Sequence, residues 1–186
     1  MSLQIKHLQE ALGVTLFTRT AHGLALTRDG QALLAHPERA LACAVEVMRE
    51  RLRYAIRLAG KRIYEKASAE PEYRGMGTTC LVLLVDGPNA FVAHVGDSRG
   101  YLVREGRIEQ LTEDHSLVNE KIRAGLLTPD QARHHKLKNI ITRSLGYTED
   151  VEIDIQVRAI RRGDRFLLCS DGLSNLVEAA ELGEVV

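Results

Sequence analysis

Apolar residues along this chain change their period near Pro71: before it they recur at three- and four-residue steps, and after it they gather in short runs broken by turn residues. The first regime predicts helices and the second strands. Ile5, Leu8 and Leu12 step at helical spacing and Gly13 follows as a C-terminal cap, so a short helix is expected over residues 2–12. An apolar stretch at 14–17, a glycine-containing turn at 21–23 and a short strand at 24–26 follow, and Thr27 is placed to cap the next helix. Pro37 ends that helix, because it lacks an amide donor and pushes His36 out of the helical region, and it can equally open the following one. From 37 to about 67, Leu41, Val45, Met48, Leu52, Ala55, Ala59 and Ile63 form a seam held over three heptads. At 1.5 Å per residue this helix would run roughly 45 Å. The seam serves either a coiled coil that dimerises through 41–63 or one helix laid on a sheet, and the small Ala55 and Ala59 favour the sheet.

Beyond Pro71 the runs at 78–85, 90–95, 100–104, 107–111, 151–160 and 165–170 read as strands. Turn signals at Asp86-Gly87-Pro88, Glu105-Gly106 and Arg162-Gly163-Asp164 separate them, and hairpin-joined strands imply a largely antiparallel sheet. Residues 116–139 return to a helical pattern, with Gly125 closing one helix and Thr128-Pro129-Asp130-Gln131 opening another as N-cap, first-turn proline and capping-box partner. Such excursions border a site more often than they build a core.

With 186 residues, 45% of them hydrophobic, the chain can bury one fair-sized core or a small and a medium one. Aromatics are only 4% and Trp is absent, which argues against a surface that stacks single-stranded bases. The net charge of zero hides an asymmetry. Residues 1–66 carry eleven Lys/Arg against six Asp/Glu, and the remainder carries fourteen against nineteen. A segment at +5 suits a polyanion and one at −5 suits cations, although ordinary solvated surfaces reach such values too. Cys43, Cys80 and Cys169 are odd in number, far apart and set among apolar neighbours, so buried free thiols in a reducing compartment are expected and a zinc site is not. Neither a spanning apolar stretch nor a signal-peptide core is evident, and the chain reads as cytoplasmic with no membrane partner.

Two aspartates carry the chemistry. Asp97 and Asp171 each follow an apolar run in a glycine-containing turn, where a carboxylate past a strand end stays open to ions on a rigid base. Alone, each has a plainer reading: Asp97 as a hairpin turn residue and Asp171 as a helix N-cap. His94, between Ala93 and Val95 on a strand, reads as a buried or sheet-face histidine, and His134-His135 as surface, since neighbours on a helix point about 100° apart.

Combined with Gly75-Met76-Gly77-Thr78-Thr79, Leu111-Thr112-Glu113-Asp114-His115-Ser116 and Ile141-Thr142-Arg143-Ser144-Leu145-Gly146, in that order, the two turns resemble the metal-dependent protein serine/threonine phosphatases of type 2C in their bacterial form, over about residues 51–180. The resemblance implies two antiparallel sheets packed as a sandwich, Mn²⁺ or Mg²⁺ as cofactor, and, where the site is complete, hydrolysis of phosphoserine and phosphothreonine proteins by a metal-activated water. It also implies that Asp171 is a metal ligand, that Asp97 joins it in holding an additional, more weakly bound metal ion, that 116–139 is a flap beside the site, and that His115 is not the proton donor. The acidic strand and bridging Asp-Gly pair with which the family begins have no match upstream of Gly75. Its terminal aspartate beside an asparagine and its amino-terminal phosphate-gripping arginine have no match either.

Residues 2–34, including Leu12-Gly13-Val14-Thr15-Leu16-Phe17-Thr18-Arg19 and Leu26-Thr27-Arg28-Asp29-Gly30, resemble part of the winged helix-turn-helix of LysR-type transcriptional regulators. That likeness implies duplex DNA as a partner, with Lys6, Arg19 and Arg28 meeting phosphates. The expected class is α+β: a partial four-layer sandwich of two antiparallel sheets flanked by helices at 71–186. A partial winged helix-turn-helix at 1–36 and a long connecting helix at 37–70, its later part belonging to the sandwich, precede it. Two other readings stay open: a DNA-binding regulator with a non-catalytic phosphatase-like module, and an inactive fusion of two gene fragments.

Overall fold

The computed structural model describes residues 3–20 and 23–186, so the reading of Ser2 as the helix start and most of the 21–23 turn lie outside the described residues. The chain divides into two compact units, the first ending at Leu52 and the second running from Arg53 to Val186. In the first, helix α1 (Leu3–Leu12) is followed by the antiparallel pair β1 (Phe17–Thr20) and β2 (Gly23–Leu26), with Phe17 opposite Leu26. Helix α2 (Arg28–Ala35) opens on Thr27, whose hydroxyl accepts from the Gly30 amide at 3.0 Å. Gln9 accepts from the Leu16 and Phe17 amides at 2.8 and 3.1 Å, tying α1 to the start of the hairpin. Helix α3 (Pro37–Ala69) begins at the proline that ends its predecessor, and the division between the units falls within it.

The second unit holds all six expected strands: β3 (Cys80–Asp86), β4 (Asn89–Val95), β5 (Arg99–Arg104), β6 (Arg107–Gln110), β7 (Asp154–Ala159) and β8 (Arg165–Cys169). They form two three-stranded antiparallel sheets, ordered β3-β4-β7 and β6-β5-β8. Strand β4 is buried along nearly its whole length, which its unbroken run from Ala90 to Val95 requires of a central strand packed on both faces. Val92, Leu102 and Leu111 form the buried centre, with Leu81, Leu83 and Phe166 against them, so side chains of both sheets make one core. A Cβ on Gly100 of β5 would sit 3.5 Å from Val92 and 3.6 Å from Leu81, the close face-to-face approach of a sandwich.

Turns at Gly87 and at Glu105-Gly106, all with positive φ, are the hairpins the sequence implies. The expectation fails at Arg162-Gly163-Asp164. The strands on either side of it belong to different sheets, so this turn carries the chain across the sandwich. Arg104 holds it there, its guanidinium donating to both Asp164 carboxylate oxygens at 2.8 and 2.7 Å and to the Ala159 carbonyl. That hydrogen-bonded charge lowers the Asp164 carboxyl to about 2.

The face of α3 that packs in the second unit keeps Ile63 of the predicted seam, against Gly146, but is shifted by one residue at the two alanines. Ile56 and Gly60 are buried whereas Ala55 and Ala59 are exposed. Gly60 is the small residue the contact needs: a Cβ there would lie 3.2 Å from Leu145. Helix α4 (Leu117–Arg123), capped by Ser116, and α5 (Pro129–Arg133), with the predicted Thr128–Gln131 capping box, form the helical excursion. Short α6 (Asp171–Ser174) and α7 (Ala179–Val185) end the fold, α7 packing on β6 through Gly183 and Ile108. Among the described residues the cysteines are free; Cys43 is exposed, not buried as expected, while partial burial pushes the Cys80 and Cys169 thiols up. No helix among the described residues is long and apolar enough to cross a membrane.

Candidate metal site at the sheet end

Register brings the two aspartates together. In the antiparallel pair β5–β8, Arg99 lies opposite Cys169. Asp97 stands two residues before Arg99 and Asp171 two residues after Cys169, so both leave the same end of the same strand pair. Neither plain reading survives. The Gly96–Ser98 segment passes the chain from one sheet to the other, so Asp97 is not a hairpin turn residue. Asp171 lies inside the first turn of α6, and Ser170 holds the cap position.

Asp97 is held from both sides. Gly96 takes φ +109, and a Cβ there would come within 2.4 Å of the Thr79 methyl, so only glycine fits. After Asp97, the Ser98 hydroxyl meets that of Thr79 at 3.0 Å. Burial, and next the Asp171 carboxylate, push the Asp97 carboxyl above its ordinary value. Arg99 offsets this only in part, since its guanidinium is hydrogen-bonded to Asp114, Nε at 3.0 Å from both oxygens and Nη2 at 2.6 Å from one. Asp114 is thereby committed to an ion pair within the wall.

Asp97, Asp114 and Asp171 line a groove of about 760 Å³ together with Asn119, Arg133 and Lys138 of the helical excursion. His134 borders it as an exposed residue. Sequence reasoning missed Arg99 and Asp114 as the wall that isolates the carboxylate pair. The signal was available, an arginine two residues after Asp97 and the acidic-polar string at 112–116, but the pairing across fifteen residues was not. His94 is buried on β4 as expected, and Arg143 pairs with Glu152 and Asp154, a structural role in keeping with its string. Lys6, Arg19 and Arg28 are exposed on α1, β1 and α2, Lys6 in an i,i+4 pair with Glu10 at 3.9 Å.

Two sandwiched antiparallel sheets, with two aspartates at one strand-pair end and a short helical excursion lining the same groove, set out the geometry of the candidate site, and comparison with known proteins gives the fold a family. Residues 26–186 match the Protein phosphatase 2C family, and the chain belongs to it. Residues 1–31 separately match the bacterial regulatory helix-turn-helix proteins of the lysR family. Protein phosphatase PhpP of Streptococcus pneumoniae is 42% identical over 142 residues, which are 76% of this chain and 57% of that protein. The Streptococcus agalactiae serine/threonine phosphatase structure aligns with a TM-score of 0.70 at 42% identity, covering 74% of this chain and 57% of that one. The catalytic domain of the serine/threonine protein phosphatase PstP, solved with two manganese ions, aligns with a TM-score of 0.64 at 38% identity, covering 72% and 55%. The chain thus spans little more than half the length of these relatives.

Proposed function

We propose that the second unit is a serine/threonine phosphoprotein phosphatase of type 2C in which Asp97 and Asp171 hold Mn²⁺ or Mg²⁺. The observation that carries this reading is the placement of both carboxylates at one end of the β5–β8 pair, where burial and then the Asp171 charge raise the Asp97 carboxyl more than the Arg99 charge lowers it. The donor set fits: hard divalent cations take oxygen ligands, and a cation held by these carboxylates would offset the Asp171 charge that, after burial, raises the Asp97 carboxyl. When bound, such an ion supplies the Lewis-acid charge that activates water and neutralises a phosphate ester. The chain's own residues do the rest. Thr79 and Gly96 fix Asp97, Arg99 keeps Asp114 out of the ligand set, and the groove leaves room for an extended peptide beside the carboxylates. Phosphoproteins are accordingly the proposed substrates. Manganese-dependent release of phosphate from a phosphoserine peptide is expected, with loss of ~100-fold or more in Asp171→Asn. Release that persists without divalent metal, or that is equal in the variant, would remove the reading.

The lysR-family match over residues 1–31 supports a second reading for the first unit, duplex DNA contacted through its phosphates by Lys6, Arg19 and Arg28. Three such contacts predict a salt slope of roughly −2.7 in log K against log salt. A gel shift insensitive to the triple Lys6/Arg19/Arg28→Gln substitution would exclude those residues.

A further inference from the structure

Behind the Asp97 turn lies a buried polar assembly that the phosphatase reading does not use. His115, 5% exposed, accepts from the Gly96 amide at its Nδ1 at 3.0 Å, and its own amide donates to the Gly96 carbonyl at 3.0 Å. A backbone amide can only donate, so Nδ1 is bare and Nε2 carries the proton, which it donates to Asp154 Oδ2 at 3.2 Å. Asp154 is braced by Arg143 at 3.2 Å, and Arg143 by Glu152 at 3.2 Å. His94, 2% exposed, stacks on the His115 ring at a centroid distance of 4.7 Å and is fixed through Nε2, 2.8 Å from the Glu113 carbonyl. The Thr142 amide donates to the His115 carbonyl at 2.8 Å.

His94, His115 and Asp154 bring ligand-capable atoms within 4.8 Å of one another, but the grouping does not make a second cation site. Imidazole lone pairs lie in the ring plane, and these planes are within 15° of parallel, so they do not converge. The Arg143 guanidinium already stands 3.3 Å from His115 Nε2.

We propose that His115 is a positioning residue for Asp97, fixing the turn by the two-way hydrogen bonding to Gly96. The proposal rests on the reading of Asp97 as a metal ligand. Gly96 sits in a backbone region that invites alternatives, and Asp97 follows it directly, so the direction of the carboxylate depends on how well Gly96 is tied. Three successive links, Arg143 to Asp154 to His115 to Gly96, run to that peptide by way of β7, and the His94 ring stacks on that of His115. Outer partners of this kind orient the ligand and set metal affinity without touching the ion.

The test uses two amide substitutions of near-equal size in the full chain. Asn places an acceptor near the Nδ1 position and Gln near the Nε2 position. Mn²⁺ affinity, read from the electron paramagnetic resonance of the free ion, is expected to weaken about tenfold or more in His115→Gln and to stay close to wild type in His115→Asn. Hydrogen exchange of the Gly96 amide in metal-free protein should accelerate in the Gln variant and not in the Asn variant. Equal Mn²⁺ affinity in wild type and His115→Gln, or equal losses in both variants, would overturn the positioning role while leaving the metal reading intact. Absence of Mn²⁺ binding by wild type would overturn the metal reading and the proposal together.

Discussion

Gly96→Ala is expected to lower the unfolding free energy of the second unit by roughly 2–6 kcal/mol, the sum of two separate costs. One is torsional, since φ +109 lies where residues with a Cβ are strained. The other is steric: the new methyl would meet Thr79 Cγ2 at 2.4 Å and Thr79 Cβ at 2.7 Å. Thr79 has no free rotation to offer, because its Cβ is part of the clash and its hydroxyl is engaged with Ser98. Against a usual total of about 5–15 kcal/mol, the loss should move the urea midpoint by a large fraction of its value or remove a cooperative transition. Thr79→Ala in the same chain should recover little, because its Cβ stays. An unfolding free energy within about 0.5 kcal/mol of wild type would mean the turn relaxes freely and is not a rigid platform for Asp97.

The legibility of this fold follows the reach of each interaction. Thr27, Pro37 and the Thr128–Gln131 capping box could be read because each acts within four residues. The six strands could be read from period alone, but their division between sheets could not: two turns that look like hairpins are crossovers, and nothing local separates the cases. The one-residue offset on α3 has the same origin. Ala59 and Gly60 are both small, and only the position of Leu145, eighty-five residues further on, selects Gly60. For the site, the residue types at Asp97 and Asp171 and the family strings around them were legible. Their proximity was not, since it depends on the Arg99–Cys169 register, and neither was the His115 tie to Gly96, which joins positions nineteen apart.

In metal-free protein at neutral pH, Asp97→Asn is expected to melt a few degrees above wild type, and Mn²⁺ should reverse that order. The sign follows from the direction of the Asp97 shift. Burial and the Asp171 charge raise its carboxyl above the ordinary 3.8, so the fold holds this proton more tightly than the unfolded chain does. Below pH 3.8 both states are protonated and nothing is lost. From there up to the raised value the unfolded chain gives up its proton while the fold still holds it, so stability falls, and once the pH has passed the raised value the loss is complete. The Asn variant escapes that loss, so its advantage should be full at neutral pH and vanish in acid. Mn²⁺ at a hundred times its dissociation constant adds about 2.7 kcal/mol to a protein that binds it only when folded. Wild type should gain that increment and the variant should lose most of it, so melting in chelator and in Mn²⁺ should rank the two proteins oppositely. Were Asp97 merely a turn residue, Asn would serve nearly as well and metal would move both curves alike. A variant less stable under both conditions would show the carboxylate to be a structural hydrogen-bond acceptor, because a strained ligand is tolerated in the free protein only for what it binds.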